Sequence, residues 1–320
     1  MQVLRTLEEA RQTVSQSCVT IGNFDGVHMG HQKLLCRTRQ KAASLGLASV
    51  AVTFEPHPLR VLSGSRTPPF IMLPHQKLES IASLRLDYAF CIAFTKDLAK
   101  LEPEEFVRIY LLEGLGMRDM VIGYDYAFGR NRKGDYAMLQ ELGARHGFTV
   151  EQIGPVLIDD AVVSSSRIRD MVQAGLAWEV RPLLGRFYRV EGKVVSGRNR
   201  GGRLLGFPTA NLQLRDELFP KTGVYAVWAE SNGRTHPAVA NIGYNPTFGN
   251  DVLSVEVHIL DFDQDIYDRD VRVHFVQRLR SEQKFPNLDA LMARIREDIV
   301  LARRILGSSE AHLVEARQCV

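Results

Sequence analysis

The chain has 320 residues, enough for two domains. Its hydrophobic share of 45% and charged share of 24% are those of a soluble globular protein with a sizeable core. A net charge of +3 is too small to call by itself for nucleic acid or a membrane surface, although local basic patches can still serve phosphate ligands. The four cysteines, Cys18, Cys36, Cys91 and Cys319, form no C-x-x-C pair and have no His at metal-ligand spacing, so free thiols in a reducing cytoplasm are expected. Met1 to Ser17 is charged and polar, without the basic tip and apolar run of a secretory signal. No stretch approaches the roughly 18 apolar residues needed to span a bilayer.

In chain order, the first half alternates strand-like and helix-like patterns. Ser17 to Ile21 is a short apolar run ending at Gly22, and Gln32 to Leu45 reads as a helix with Leu35, Thr38, Ala42 and Leu45 on one face. Ser49 to Phe54 is a strand stopped by Glu55-Pro56-His57-Pro58. Helices are expected over Gln76 to Leu86, Glu104 to Leu112 and Tyr136 to His146, with strands over Tyr88 to Phe94, Met120 to Gly123 and Thr149 to Ile153. This alternation predicts a parallel sheet covered on both faces, with ligands bound beyond the carboxyl ends of its strands. After about Gly185 the pattern changes to strands at Tyr188 to Val195, Val224 to Glu230, Pro237 to Ile242, Ser254 to Phe262 and Val271 to Leu279, separated by Gly, Asn and Pro clusters. That is an antiparallel barrel or sandwich. A helix over Asn287 to Ile299, with Leu288, Leu291, Ile295 and Ile299 on one face, closes the chain. The boundary is expected near Arg181 to Arg186, giving domains 1–183 and 184–320.

The segment Gly22-Asn23-Phe24-Asp25-Gly26-Val27-His28-Met29-Gly30-His31 lies between the first strand and the first helix. Glycines let backbone approach a phosphate chain, and the helix N-terminus offers free N–H groups and the positive end of a dipole. His28 and His31, three apart around a glycine, can reach one phosphoryl group, where preorganised donors stabilise charge developing on its oxygens. Ser164-Ser165-Ser166-Arg167-Ile168-Arg169 leads into a short helical stretch, suited to capping and to anion binding, with Arg169 as a charge-assisted donor. Two further strand ends are less specific. His57 sits in a proline-rich turn that is either structural or part of the site. Asp125, in Gly123-Tyr124-Asp125-Tyr126-Ala127-Phe128-Gly129, is suited to a ribose hydroxyl or a metal-bound water, or is a turn residue among core aromatics.

In the second half, Gly192 to Arg203 is a basic, glycine-rich stretch after a strand, suited to a nucleotide phosphate chain but without the G-K-[ST] of a Walker loop. In Gly206-Phe207-Pro208-Thr209-Ala210-Asn211, the Thr209 hydroxyl and the Asn211 carbonyl point the same way in an extended segment. Both are oxygen ligands acceptable to Mg²⁺. Alternation over Ser254 to Leu260 puts Glu256 opposite the row of β-branched residues, as a solvated charge or as a general base for a substrate hydroxyl.

In order, GNFDGVHMGH, FEPHP, GYDYAFG, SSSRIR, GKVVSGRNRGGRLLGFPTANL, KTGVYAV, NIGYNPTFG, VEVHILDF and LRSEQKF resemble the bacterial bifunctional riboflavin kinase/FMN adenylyltransferases, the prokaryotic FAD synthetases. The resemblance covers essentially the whole chain. It implies an α/β nucleotidyltransferase (Rossmann-like) domain, then a six-stranded antiparallel β-barrel kinase domain with a C-terminal helix. It implies phosphorylation of riboflavin to FMN and adenylylation of FMN to FAD, both with ATP and Mg²⁺ and the second with release of pyrophosphate. Carried over, His28 and His31 would stabilise the α-phosphate transition state. Gly22, Asn23, Phe24, Ser164 and Arg169 would join them around ATP, with His57 and Asp125 near ATP or flavin. Gly197, Arg203, Gly206, Thr209 and Asn211 would bind ATP in the kinase half, Thr209 and Asn211 also Mg²⁺, and Glu256 would be its base. The family's usual basic-Leu-Thr sequence is replaced here by Pro69-Phe70-Ile71-Met72-Leu73-Pro74-His75-Gln76, so the basic flavin contact is either missing or supplied by Arg66. The partners implied are riboflavin, FMN and ATP, with no nucleic acid and no membrane, in the cytoplasm; a homo-oligomer is left open. The alternatives are a single-activity flavin enzyme with one degenerate half, and an RNA-binding module on a synthetase-like fold.

Overall fold

The computed structural model describes residues 1–63, 67–130, 133–195, 206–215, 217–247 and 250–313. Contacts divide the chain into two compact units, one holding Met1–Pro68 and Leu73–Ser164, the other Pro69–Met72 and the chain from Ser165.

In the first unit the chain runs β1 (Gln2–Leu4), α1 (Leu7–Thr13), β2 (Ser17–Ile21), α2 (Met29–Leu45), β3 (Ala48–Glu55), α3 (Pro58–Ser63), α4 (Pro74–Ser83) and β4 (Tyr88–Ala93). It continues through α5 (Pro103–Phe106), α6 (Glu113–Leu115), β5 (Met117–Gly123), α7 (Tyr136–His146), β6 (Thr149–Ile153) and a small hairpin, β7 (Leu157–Ile158) and β8 (Ala161–Val162). The sheet is six-stranded and parallel, in the order β1-β4-β3-β2-β5-β6. Every residue of β2 is buried, as both faces of a parallel sheet require. α2 turns Leu34, Leu35, Thr38 and Ala42 inward and stops where Gly46 takes a left-handed φ of 67°. α1 starts on a capping box in which Thr6 and Glu9 satisfy each other's backbone N–H.

One expected helix differs. Between α5 and α6 a π-helical turn spans Val107–Leu112, so Glu104 to Leu112 is not a continuous α-helix. The wider turn keeps Phe106, Leu111 and Leu115 buried together despite the five-residue step between the first two. The cysteines also differ from expectation. Cys18 and Cys91 are free and buried, but Cys36 is disulfide-bonded, and Cys319 lies outside the described residues.

The second unit opens with α8 (Ser165–Ala174) and α9 (Ala177–Leu184), which ends at Gly185. Then come β9 (Tyr188–Val195), β10 (Ala210–Gln213), β11 (Gly223–Ser231), β12 (Arg234–Thr247), β13 (Asn250–Ile259), β14 (Asp270–Arg280) and α10 (Leu288–Leu306). The six strands close into an antiparallel barrel in the order β10-β13-β12-β11-β14-β9, with β9 pairing back onto β10. Tyr225, Val227, Val255, Val257, Val273 and Phe275 are buried within it. α10 covers the outside over Ala226 and Val276, using Ala302 and Leu306. It runs beyond the expected end at Ile299, and Leu288, expected on its inner face, is exposed.

Candidate active sites

The first site grows from β2. Strands β3 and β4 lie on one side of β2, and β5 and β6 on the other, so the strand order reverses there. In an open parallel sheet that reversal leaves a crevice beyond the carboxyl ends. Residues 22–28 emerge into it. Phe24 and Val27 take φ of 51° and 39°, and for a β-branched valine a positive φ is strained backbone held by its surroundings. The Phe24 ring is buried beneath the loop. A Cβ on Gly22 would come within 2.8 Å of it, so only glycine fits.

His28 is the N-cap of α2. Its Nδ1 accepts the His31 backbone N–H at 3.4 Å, which leaves Nε2–H as the ring's donor. The two imidazoles stack, with centroids 3.6 Å apart and planes inclined by 18°, and Phe24 meets His31 edge-on at 5.4 Å. Gly30 permits the stack, since a Cβ there would stand 3.1 Å from the His28 ring. Burial, then the charges of His28 and Lys77, hold the His31 imidazole well below its ordinary pKa, so it is neutral at physiological pH. His31 Nδ1 is buried with no hydrogen-bond partner among the described residues, which suits a buried donor or acceptor awaiting a ligand.

The remaining residues of this half take different places. Asn23 is exposed at the loop tip, and the Val163 carbonyl, next to Ser164, lies 3.7 Å from where a Gly30 Cβ would stand. Ser164 immediately precedes α8, as its motif suggested. Arg169 lies on α8, in the second unit, and donates through Nε to the Pro69 carbonyl at 3.0 Å. His57 accepts the Leu59 N–H at 3.2 Å, a local turn contact at the start of α3. Asp125 is exposed in the turn after β5. Tyr126 and Phe128 stack on each other and pack against the core through Phe106. Arg66 lies outside the described residues. Directly after the divergent stretch stands a residue that sequence reasoning missed: Lys77 on α4, only 7% exposed. Its ammonium donates to Thr53 Oγ1 at 3.0 Å, the Phe54 carbonyl at 3.1 Å and the Asn23 carbonyl at 3.4 Å.

The second site lies on the barrel. Gly197 and Arg203 fall outside the described residues. Gly206 is exposed with φ of 79°, a conformation open to glycine. Phe207 packs edge-on against His258 at 5.8 Å, and His258 Nδ1 lies 2.8 Å from the Pro208 carbonyl, which ties the turn before β10 to β13. Strand register sets Asn211 directly opposite Glu256, and Glu256 opposite Asn241. Leu212, Val255, Val257, Ala240 and Ile242 face the barrel interior, so the three polar residues form a row across the outside of β10, β13 and β12. Asn241 was not singled out from sequence, although it stands in the NIGYNPTFG segment. Thr209 is half-buried one residue before β10 and shares the Asn211 face. A hydroxyl, an amide oxygen and a neighbouring carboxylate are hard oxygen donors of the kind Mg²⁺ takes, with phosphate and water completing its shell. Among the described residues no helix is long and apolar enough to cross a membrane.

Comparison with known proteins agrees with both halves. The FAD synthetase family model matches residues 10–167, and the riboflavin kinase family model matches residues 184–306. A bifunctional riboflavin kinase/FMN adenylyltransferase of Pseudomonas fluorescens is 41% identical over 97% of this chain and 99% of its own. The protein of the same name from Escherichia coli K12 is 34% identical over 96% and 98%, and that of Bacillus subtilis 36% identical over 90% and 92%. A crystal structure from Streptococcus pneumoniae, described as a macrolide-efflux protein, superposes with a TM-score of 0.84 at 30% identity, over 95% of this chain and 99% of that one. With both halves matched, neither the single-activity nor the RNA-binding alternative is favoured.

Proposed function

The chain belongs to the bifunctional riboflavin kinase/FMN adenylyltransferase family, and from that premise we propose which residues carry each of its two reactions. We place the functional boundary between residues 183 and 184, where the match to the kinase family begins.

In the adenylyltransferase half, a phosphate oxygen of FMN attacks the α-phosphorus of ATP, the bond to the β-phosphate breaks, and pyrophosphate leaves. No protein nucleophile is needed. The single observation that carries the assignment is the stacked His28–His31 pair at the N-terminus of α2. The two imidazoles and the backbone N–H groups at the helix start meet the α-phosphate oxygens as charge builds on them. Gly22, Asn23 and Phe24 form the surrounding loop. Ser164 supplies a further phosphate donor, and Arg169 is assigned to ATP by the family resemblance alone. His57 and Asp125 lie on turns that follow β3 and β5, on the side where ATP or flavin would bind.

In the kinase half, Glu256 takes the proton from the riboflavin 5′-hydroxyl, whose oxygen attacks the γ-phosphorus of ATP, and ADP leaves. The Thr209 hydroxyl and the Asn211 carbonyl would hold Mg²⁺, which would neutralise phosphate charge. Gly206 lines the ATP phosphates, and Gly197 and Arg203 are assigned to ATP by the family resemblance alone.

Separating the flavins formed from riboflavin, ATP and Mg²⁺ tests the division. His28→Ala or His31→Ala lowers FAD formation by about 10²–10³-fold and leaves FMN formation intact. Asn211→Ala or Glu256→Gln does the reverse when FMN is supplied. Loss of kinase activity in a folded His28→Ala protein would refute two separate sites.

A further inference from the structure

Lysine is seldom buried unless paired, yet Lys77 is 7% exposed and forms no ion pair among the described residues. Its three N–H protons are matched by three neutral oxygens, on Thr53, Phe54 and Asn23. A further ligand could be reached only by giving one of these up. Two of the oxygens are carbonyls: one at the end of β3, the other in the loop that carries the histidines. The Asn23 carbonyl also accepts the Thr53 hydroxyl at 3.4 Å, so two donors draw it in. In a trans peptide the N–H points opposite to the C=O. A carbonyl of Asn23 held toward Lys77 therefore turns the Phe24 N–H away from it, and that N–H has no partner among the described residues.

Resting on the reading of the His28–His31 loop as the α-phosphate site, we propose that Lys77 is a positioning residue for adenylyl transfer. It fixes the Asn23–Phe24 peptide so that the Phe24 N–H faces the phosphate, and it sets an ammonium one layer beneath the imidazole pair. The titratable groups near it are the Cys91 thiol on β4, Glu55 at the end of β3 and Asp25 in the loop, and its own charge is felt by His31 on α2. None of these carboxylates is close enough to form an ion pair with it. An anionic phosphate chain over the loop supplies the missing counter-charge, so the cost of burying the ammonium is relieved when ATP is in place.

The test uses the full chain and both reactions. Lys77→Met keeps the length and removes the charge, Lys77→Arg keeps the charge, and His28→Ala runs in parallel. With ATP, Mg²⁺ and FMN supplied, Lys77→Met is expected to lower kcat for FAD formation at least tenfold, with the KM for FMN within threefold and riboflavin phosphorylation within twofold of wild type. Lys77→Arg recovers several-fold of the lost kcat. In proton NMR, the His31 imidazole of Lys77→Met titrates at higher pH than in wild type, because a nearby positive charge has gone.

Unchanged kcat in Lys77→Met overturns the proposal. So does a loss that Lys77→Arg shares in full or that leaves the His31 titration unmoved, since packing alone would then explain it. If Lys77→Met does not fold, Thr53→Val decides: a threefold or larger fall in kcat supports the proposal and an unchanged value overturns it. His28→Ala separates the two claims. Should it retain FAD formation, the site itself is misread. Should it lose FAD formation while Lys77→Met does not, only the role of Lys77 falls.

Discussion

Glu217 gives the sharpest prediction about the barrel. Its carboxyl is 5% exposed; Oε1 accepts the Glu191 N–H at 3.1 Å, and Oε2 is buried with no partner among the described residues. Glu191 takes the cations, with Arg272 at 3.0 Å and Arg215 at 3.8 Å. Burial, and then repulsion from Glu191 against the help of its N–H, push Glu217 up to about 7. The ordinary glutamate value is 4.5, so the folded state holds a proton that the unfolded chain has already released. Between these values stability falls as pH rises, and above 7 the effect is complete. At 1.36 kcal/mol for each tenfold change, the ionised carboxyl weakens folding by about 3 kcal/mol. Glu217→Gln keeps the oxygen that accepts the Glu191 N–H and removes the charge. At pH 8 the variant should be about 3 kcal/mol more stable than wild type, and at pH 4.5 nearly equal to it. Urea unfolding followed by tryptophan fluorescence measures this unit alone, because the chain's two tryptophans, Trp178 and Trp228, both belong to it. A difference that does not change between pH 4.5 and 8, or a variant less stable at pH 8, would refute the reasoning.

Two further outcomes are expected. Asn241→Ala should lower riboflavin phosphorylation at least tenfold while FMN adenylylation stays within twofold, since Asn241 shares the outer row with Glu256 and Asn211; parallel assays with riboflavin or FMN as the starting flavin check it. Gly22→Ala should cost about 1–3 kcal/mol of stability and depress FAD formation, because the new methyl would stand 2.8 Å from the buried Phe24 ring. Its thermal melt and flavin assay are measured together, and a fully active, equally stable variant would show that the ring can move aside.

Much of the site was legible because its signals are local. A glycine between a strand and a helix, a histidine at the N-cap and a second one a turn later are sequence neighbours, and the fold keeps them neighbours. The strand alternation around Glu256 likewise fixed its face before any partner was known. What the sequence withheld depends on tertiary placement. Lys77 reads as a surface charge on an amphipathic helix, and only the packing of α4 over β3 buries its ammonium. Asn241 has no local mark either; only register between two strands sets it opposite Glu256. On α10 the apolar period missed Asp298, which is 2% exposed and held by Arg280 at 2.8 Å. A buried carboxylate carries no hydrophobic signal. The π-turn at Val107–Leu112 was hidden for the same reason: five-residue spacing looks like noise in a 3.6-residue pattern.

The placement of charge in the first site has a consequence for catalysis. ATP is a polyanion before and during transfer, so a cation in direct contact would bind the ground state nearly as well as the transition state, and uniform binding does not raise kcat. On the proposed assignment, the groups that would face the α-phosphate are instead a neutral imidazole on His31, the His28 ring and backbone N–H groups at the start of α2. Such donors gain most where charge newly appears, provided their orientation is fixed beforehand. Fixing it is costly, as the positive φ of Val27 and the burial of Lys77 both show. The cation stands one layer back, with all its protons committed to the loop and to β3. It can hold the donors in place and raise the local potential without itself grasping the substrate. Strain, burial and a stacked histidine pair thus belong, on the proposed assignment, to one arrangement that would favour the transition state over bound ATP.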